Sequence, residues 1–142
     1  MAADQSLTTY FRDYLEADFQ LSPLRASRLG DHRFDGRLDD LSAAARAKRV
    51  ELVQQTLGRL PQAVDYVKLS RDGQIDFEIL RDRLKLDLWL DEHEKPYERD
   101  PRIWSGLATD CVYVLLTQST LPLEENVTNT LSRMKLVPAL LA

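Results

Sequence analysis

A chain of 142 residues has room for one domain, and folding at that size hides roughly 65–70% of the surface its unfolded form exposes. With 44% apolar and 30% charged residues, few glycines and no biased tract, it is neither disordered nor fibrous nor low in complexity. The formal net charge of -4 comes from 19 basic and 23 acidic side chains interleaved along the whole length, so there is no basic stripe to follow phosphates and nucleic acid is not an expected partner.

The start, Met1-Ala2-Ala3-Asp4-Gln5, lacks the basic opening and apolar run of a secretory signal, and no apolar segment approaches the roughly 20 residues that span a bilayer. The expectation is a cytoplasmic protein with no membrane partner, or a periplasmic or secreted one if a signal was lost upstream. Leu7, Tyr10, Phe11, Tyr14, Leu15 and Phe19 recur at spacings of three and four, which predicts a helix over residues 6–19 whose aromatic stripe is core, or a docking face for missing parts, rather than a cofactor box. Ser22-Pro23 reads as an N-cap followed by proline at the first helical position, and Gly30 is placed to end that short helix in a left-handed conformation.

Residues 31–40, Asp-His-Arg-Phe-Asp-Gly-Arg-Leu-Asp-Asp, are too polar and too rich in turn formers for a regular element and predict a structured loop. Ser42 can cap a third helix to about Leu60, with Ala45, Leu52, Val53, Thr56, Leu57 and Leu60 as its stripe and Pro61 at its expected end. After the cap Ser70, the longest helix should run to about Glu94, roughly 36 Å at 1.5 Å per residue. Ile75, Ile79, Leu86 and Leu90 form one apolar line and Phe77, Leu80, Leu84 and Leu88 a second, which predicts a central helix with neighbours on more than one side.

Pro96 breaks that pattern, and Asp100-Pro101 starts another segment with Leu107, Cys111, Val114, Leu115 and Gln118 on one face. Its β-branched Val112 and Val114 leave a strand open there. The single cysteine, Cys111, reads as a small buried hydrophobe. A last helix should start at Pro122, with Leu123, Val127, Leu131 and Met134 inward and Pro138 interrupting it. The class is therefore all-α: five to six amphipathic helices in a bundle-like array, read as a single helical region over residues 1–142. The final run from Val137 to Ala142 resembles the opening turn of a further helix, so the chain is expected to be truncated there.

His93-Glu94-Lys95-Pro96-Tyr97 is a near miss to H-E-x-x-H, which needs two histidines one helical turn apart to share a zinc ion. Tyr97 stands where the second would be, and Pro96 breaks the helix, so a solvated helix end is the expected reading. The loop sets His32 among Asp31, Asp35, Asp39 and Asp40, with Arg33 and Arg37 close by. Turn-forming and capping bonds, a substrate-facing surface and independent metal binding all fit that composition, in decreasing order. Glycine-rich phosphate loops and a nucleophile elbow are absent from the sequence.

The stretch from Leu29 to Ser42, Leu-Gly-Asp-His-Arg-Phe-Asp-Gly-Arg-Leu-Asp-Asp-Leu-Ser, resembles the bacterial domain-of-unknown-function family numbered 885. Ser22-Pro23-Leu24-Arg25-Ala26, Gln74-Ile75-Asp76-Phe77-Glu78-Ile79-Leu80, Asp100-Pro101 and Leu136-Val137-Pro138 follow in the order of that family's N-terminal region. The resemblance implies a mostly helical parent similar to zinc metallopeptidases, whose H-E-x-x-H helix lies downstream. It implies zinc and a peptide substrate for the parent, and a lid or scaffold role for these helices, with the missing C-terminal part of the same protein as their partner. By that analogy His32, Asp31, Arg33, Asp35 and Asp39 are the residues expected to face a cleft, while no catalytic residue or metal ligand is assigned to this chain. A self-contained helical interaction module without enzymatic activity is the alternative expectation.

Overall fold

The computed structural model describes residues 2–140, and every regular element in them is helical. In chain order these are α1 (Ala2–Leu21), α2 (Pro23–Arg28), a 3-10 turn at His32–Phe34, α3 (Ala43–Ala63), a second 3-10 turn at Tyr66–Lys68, and α4 (Arg71–Trp89). A π turn at Leu90–Glu94 prolongs α4, and α5 (Pro96–Arg99), α6 (Pro101–Thr117) and α7 (Leu123–Leu140) complete the fold. The all-α expectation holds, and the strand left open around Val112 and Val114 is helix. No helix among the described residues is long and apolar enough to cross a membrane. The helices form two compact units, one made of residues up to Asp18 with Ala47–Lys95, the other of Phe19–Arg46 with Pro96 onward.

In the first unit α1, α3 and α4 contribute Leu7 and Tyr14, Val53 and Leu60, and Phe77, Leu80 and Leu84 to one buried cluster, closed by Val64 and Leu69. Complete burial of such a side chain is worth about 1.5–3 kcal/mol. The aromatic stripe of α1 is thus core, as its spacing predicts, and the Tyr10 hydroxyl donates to the Thr56 carbonyl at 2.6 Å. Ser70 caps α4, its hydroxyl oxygen accepting from the Gly73 N–H at 3.1 Å. The same hydroxyl donates to the Asp4 carboxylate at 2.7 Å, and the Ser70 N–H adds a bond of 3.1 Å.

Helix α4 departs from expectation on one face. The line of Phe77, Leu80 and Leu84 is buried, but Ile75, Ile79 and Leu86 are exposed, so α4 does not serve as a central helix surrounded on several sides. Its end is set by Pro96, whose ring disfavours the right-handed helical region for the preceding residue. Lys95 accordingly takes φ 46° and its N–H donates back to the Leu90 carbonyl at 3.1 Å. His93 stacks on Trp89 with ring centroids 4.9 Å apart and is half exposed, a solvated helix end as the sequence reading has it.

In the second unit Leu24, Cys111 and Val114 form the buried centre, with Leu38, Leu107, Val112 and Val137 packed against it. Helix α2 ends at Gly30, which takes φ 84°. The Asp31 N–H reaches the Ala26 carbonyl at 2.9 Å and the Gly30 N–H reaches Ser27 at 3.1 Å, the paired bonds of a Schellman cap. Asp100 opens α6 by accepting from the Arg102 N–H at 3.0 Å, with Pro101 at the first helical position.

Two prolines expected to stop helices do not. Pro61 lies inside α3 and Pro138 inside α7, each within the last three residues. So near a C-terminus proline forfeits one backbone bond, and buried Leu60 and Leu140 hold these last turns in place.

The larger correction concerns α7. Leu123, Val127, Leu131 and Met134, expected inward, are exposed, while Asn126, Thr130 and Arg133 are buried. The helix is rotated so that its polar stripe faces the core. Hydrogen bonds made by Arg133 offset what would otherwise be a costly burial.

Candidate functional site

The loop after α2 is the richest concentration of titratable side chains in the second unit, and two of its carboxylates, Asp35 and Asp39, are bonded inward. Gly30 reverses the chain, and the Asp31 carboxylate then accepts the Arg33 N–H at 3.1 Å, starting the 3-10 turn. The Arg33 guanidinium closes on the same carboxylate at 2.6 Å and holds the Asp31 pKa below its ordinary value. Phe34 inserts below the turn, almost fully buried, with the Arg33 and Arg37 guanidinium carbons 5.2 and 5.4 Å from its ring centre.

The helical turn brings His32 and Asp35 together, and Nδ1 of His32 donates to Oδ2 of Asp35 at 2.8 Å. Nε2 of the same ring shares a hydrogen bond with the Thr120 hydroxyl at 3.2 Å, linking the loop to the connection between α6 and α7. Asp35 is itself buried, and its Oδ1 accepts from the Ser27 hydroxyl. Asp39 completes the loop's inward bonding by capping α2, its Oδ1 accepting the Leu24 N–H at 2.9 Å.

Arg133 of α7 is the side chain around which this arrangement closes. It is fully buried, and its Nε donates to the Arg37 carbonyl at 2.8 Å. Nη1 reaches the Cys111 carbonyl at 3.2 Å, while Nη2 serves the Ser27 hydroxyl at 2.6 Å and the Phe34 carbonyl at 3.5 Å. Asp35 Oδ1 lies 3.9 Å from Nη2 and supplies the counter-charge. Burial pulls the guanidinium pKa below its usual value and the Asp35 charge works against that fall. Guanidinium geometry suits the task, because its planar fork can satisfy several acceptors at once.

Sequence reasoning missed Arg133. Its spacing with Asn126 and Thr130 marks a solvent face by ordinary amphipathic logic, and no local signal reverses that reading. Of the five residues expected to face a cleft, His32 and Asp35 meet each other, Asp31 and Arg33 pair on the surface, and Asp39 borders a cavity. The cavity, about 360 Å3, has Leu38, Asp39, Leu41, Trp104, Leu136 and Leu140 among its lining residues. Trp104 is held by its indole N–H, which donates to the Tyr97 carbonyl at 3.0 Å.

Among the described residues no group of three His, Cys, Asp or Glu side chains converges as a metal site would require. The His32–Asp35 pair therefore does not fit the donor set of a zinc ion. Cys111 is buried, donates to the Ala108 carbonyl at 3.1 Å, and has its thiol pKa pushed up by burial, the opposite of what a nucleophile needs.

A family model described as a bacterial protein of unknown function (DUF885) matches residues 23–142, a span that includes the whole of this loop, the cavity and α7. No curated protein and no solved structure matches the chain.

Proposed function

Since the chain belongs to the DUF885 family, we propose that it is a helical lid or scaffold segment of a zinc-dependent peptidase whose H-E-x-x-H helix lies outside these residues. The observation that carries this reading is how the family's loop is used. Asp35 and Asp39 are bonded to Ser27 and to the Leu24 backbone, and Arg133 ties the loop to α7. A loop held this way is a rigid wall, the property a scaffold needs. Residues 38–42 then line an apolar cavity together with Trp104, Leu136 and Leu140, a surface suited to a peptide side chain.

On this reading His32, Asp31, Arg33 and Asp35 shape the wall and Asp39 is the residue nearest to substrate. Zinc and the peptide substrate belong to the parent, and the chain by itself hydrolyses nothing. The test is to read the gene past the codon for Ala142 and to purify its full product. A downstream H-E-x-x-H helix, bound zinc and peptide hydrolysis that falls on Trp104→Ala with zinc content unchanged are the expected results. A stop codon directly after Ala142, or a zinc-free product without hydrolytic activity, would overturn the proposal.

One observation favours the alternative of a self-contained interaction module. The apolar face that α7 leaves exposed is available for a protein partner, whereas the aromatic stripe of α1 is spent on its own core. A peptidase-free gene product that remains folded would favour that second reading.

A further inference from the structure

Helix α7 carries its apolar side chains away from the core. Leu123 is 72% exposed, Val127 42%, Leu131 52% and Met134 52%, and the spacings of four, four and three place them in one continuous stripe. The rotation is fixed by Arg133, whose bonds to Arg37, Ser27 and Cys111 leave no freedom for the helix to turn its leucines inward.

Charge decides what covers the stripe. At 100° per residue Glu124 and Lys135 fall on the same flank, the one away from the buried face, and both are exposed. Neither has an ion-pair partner among the described residues. Eleven residues separate them, roughly 16 Å along the axis. When two identical helices pair antiparallel about a two-fold axis, like flanks meet, and a residue near one end faces a residue near the other. An axis between Asn129 and Thr130 sets Glu124 of each copy against Lys135 of the other, twice by symmetry. The same register brings Val127 and Leu131 of one copy beside Leu131 and Val127 of its mate. Parallel pairing brings unlike flanks together and would leave Glu124 and Lys135 of one copy on the opposite side of the interface from those of its mate.

We propose that the exposed face of α7 is a self-association surface, on which a second copy of this chain docks antiparallel through Val127, Leu131 and Met134 with reciprocal Glu124–Lys135 ion pairs. The contact is a single helix face, so the dimer is weak and salt-sensitive.

Sedimentation equilibrium of the full chain from micromolar to millimolar concentration should show a reversible monomer–dimer equilibrium. Leu131→Glu should leave helicity and melting unchanged and abolish the dimer. Glu124→Lys alone and Lys135→Glu alone should each weaken it about tenfold, because both symmetric pairs become repulsive. An equimolar mixture of those two single variants should pair, since one copy then carries lysine at both positions and its mate carries glutamate at both. A wild-type chain that stays monomeric throughout, a dimer indifferent to Leu131→Glu, or a mixture that fails to pair would each overturn the proposal.

Discussion

Arg133 and Asp35 sit 3.9 Å apart with both side chains wholly shielded from solvent, the guanidinium on α7 and the carboxylate in the turn after α2. A buried pair of this kind contributes little net stability relative to a well-packed apolar pair, but removing one partner strands the other charge. Asp35→Ala should therefore cost about 3–5 kcal/mol in urea unfolding, and Arg133→Met a comparable amount. The double variant Asp35→Ala/Arg133→Met should recover part of the loss, and strictly additive costs would show that the two charges do not communicate.

Asp4 offers a pH test. Its pKa is lowered to about 2, chiefly by the Ser70 hydroxyl bonded to its carboxylate. A depressed folded pKa stabilises the fold above the unfolded value of about 4, and that contribution disappears as the pH falls toward about 2. In Ser70→Ala the Asp4 carboxyl should titrate higher than in the wild type but still below an ordinary aspartate, because the backbone N–H of residue 70 still bonds to it; NMR titration reads the change, and the acid limb of the unfolding profile should become shallower.

Gly73 is coupled to the same carboxylate. A Cβ at Gly73 would run into Asp4 Oδ1, with Ser70 Oγ and a Leu69 methyl next nearest at 3.3 Å. Gly→Ala inside a helix ordinarily gains about 0.5–1 kcal/mol. Here the gain should vanish in the wild-type background, because Asp4 must leave Ser70, and should reappear when Gly73→Ala is made together with Asp4→Ala.

At Gly30 the cost is purely one of backbone. Nothing lies within 4 Å of a Cβ there, yet φ is +84°. Gly30→Ala should destabilise by about 1–2 kcal/mol, and Gly30→Asn by less, since asparagine tolerates the left-handed region. Equal costs for the two would argue that the Schellman cap is not what ends α2.

The helices were readable wherever apolar periodicity coincided with burial. Leu7 and Tyr14, Val53 and Leu60, and Phe77, Leu80 and Leu84 are core residues by spacing and in the structure alike. Caps at Ser70 and Asp100 and the left-handed Gly30 were legible because each is a local backbone need met by one residue type. Pro61 and Pro138 misled because packing of the last turn, which spacing does not report, outweighs one lost hydrogen bond.

The site was legible in part. That His32 and Asp35 share a turn follows from their separation of three, and capping by the loop's aspartates was anticipated, although not which helix Asp39 would cap. Arg133 was invisible because most of its partners lie about a hundred residues earlier in the chain, and a residue's long-range acceptors leave no mark on its neighbours. The orientation of α7 was lost with it.

The fork of Arg133 also has a consequence for how the second unit breathes. The acceptors at Phe34 and Arg37 are backbone carbonyls of the loop, so neither the loop nor α7 can come away without stranding a desolvated cation. The loop is thus denied the independent fraying usual for a surface connection. Amide protons of residues 31–37 and those of α7 around Arg133 should exchange with deuterium at one common free energy, as a single latch that is either fully shut or fully open.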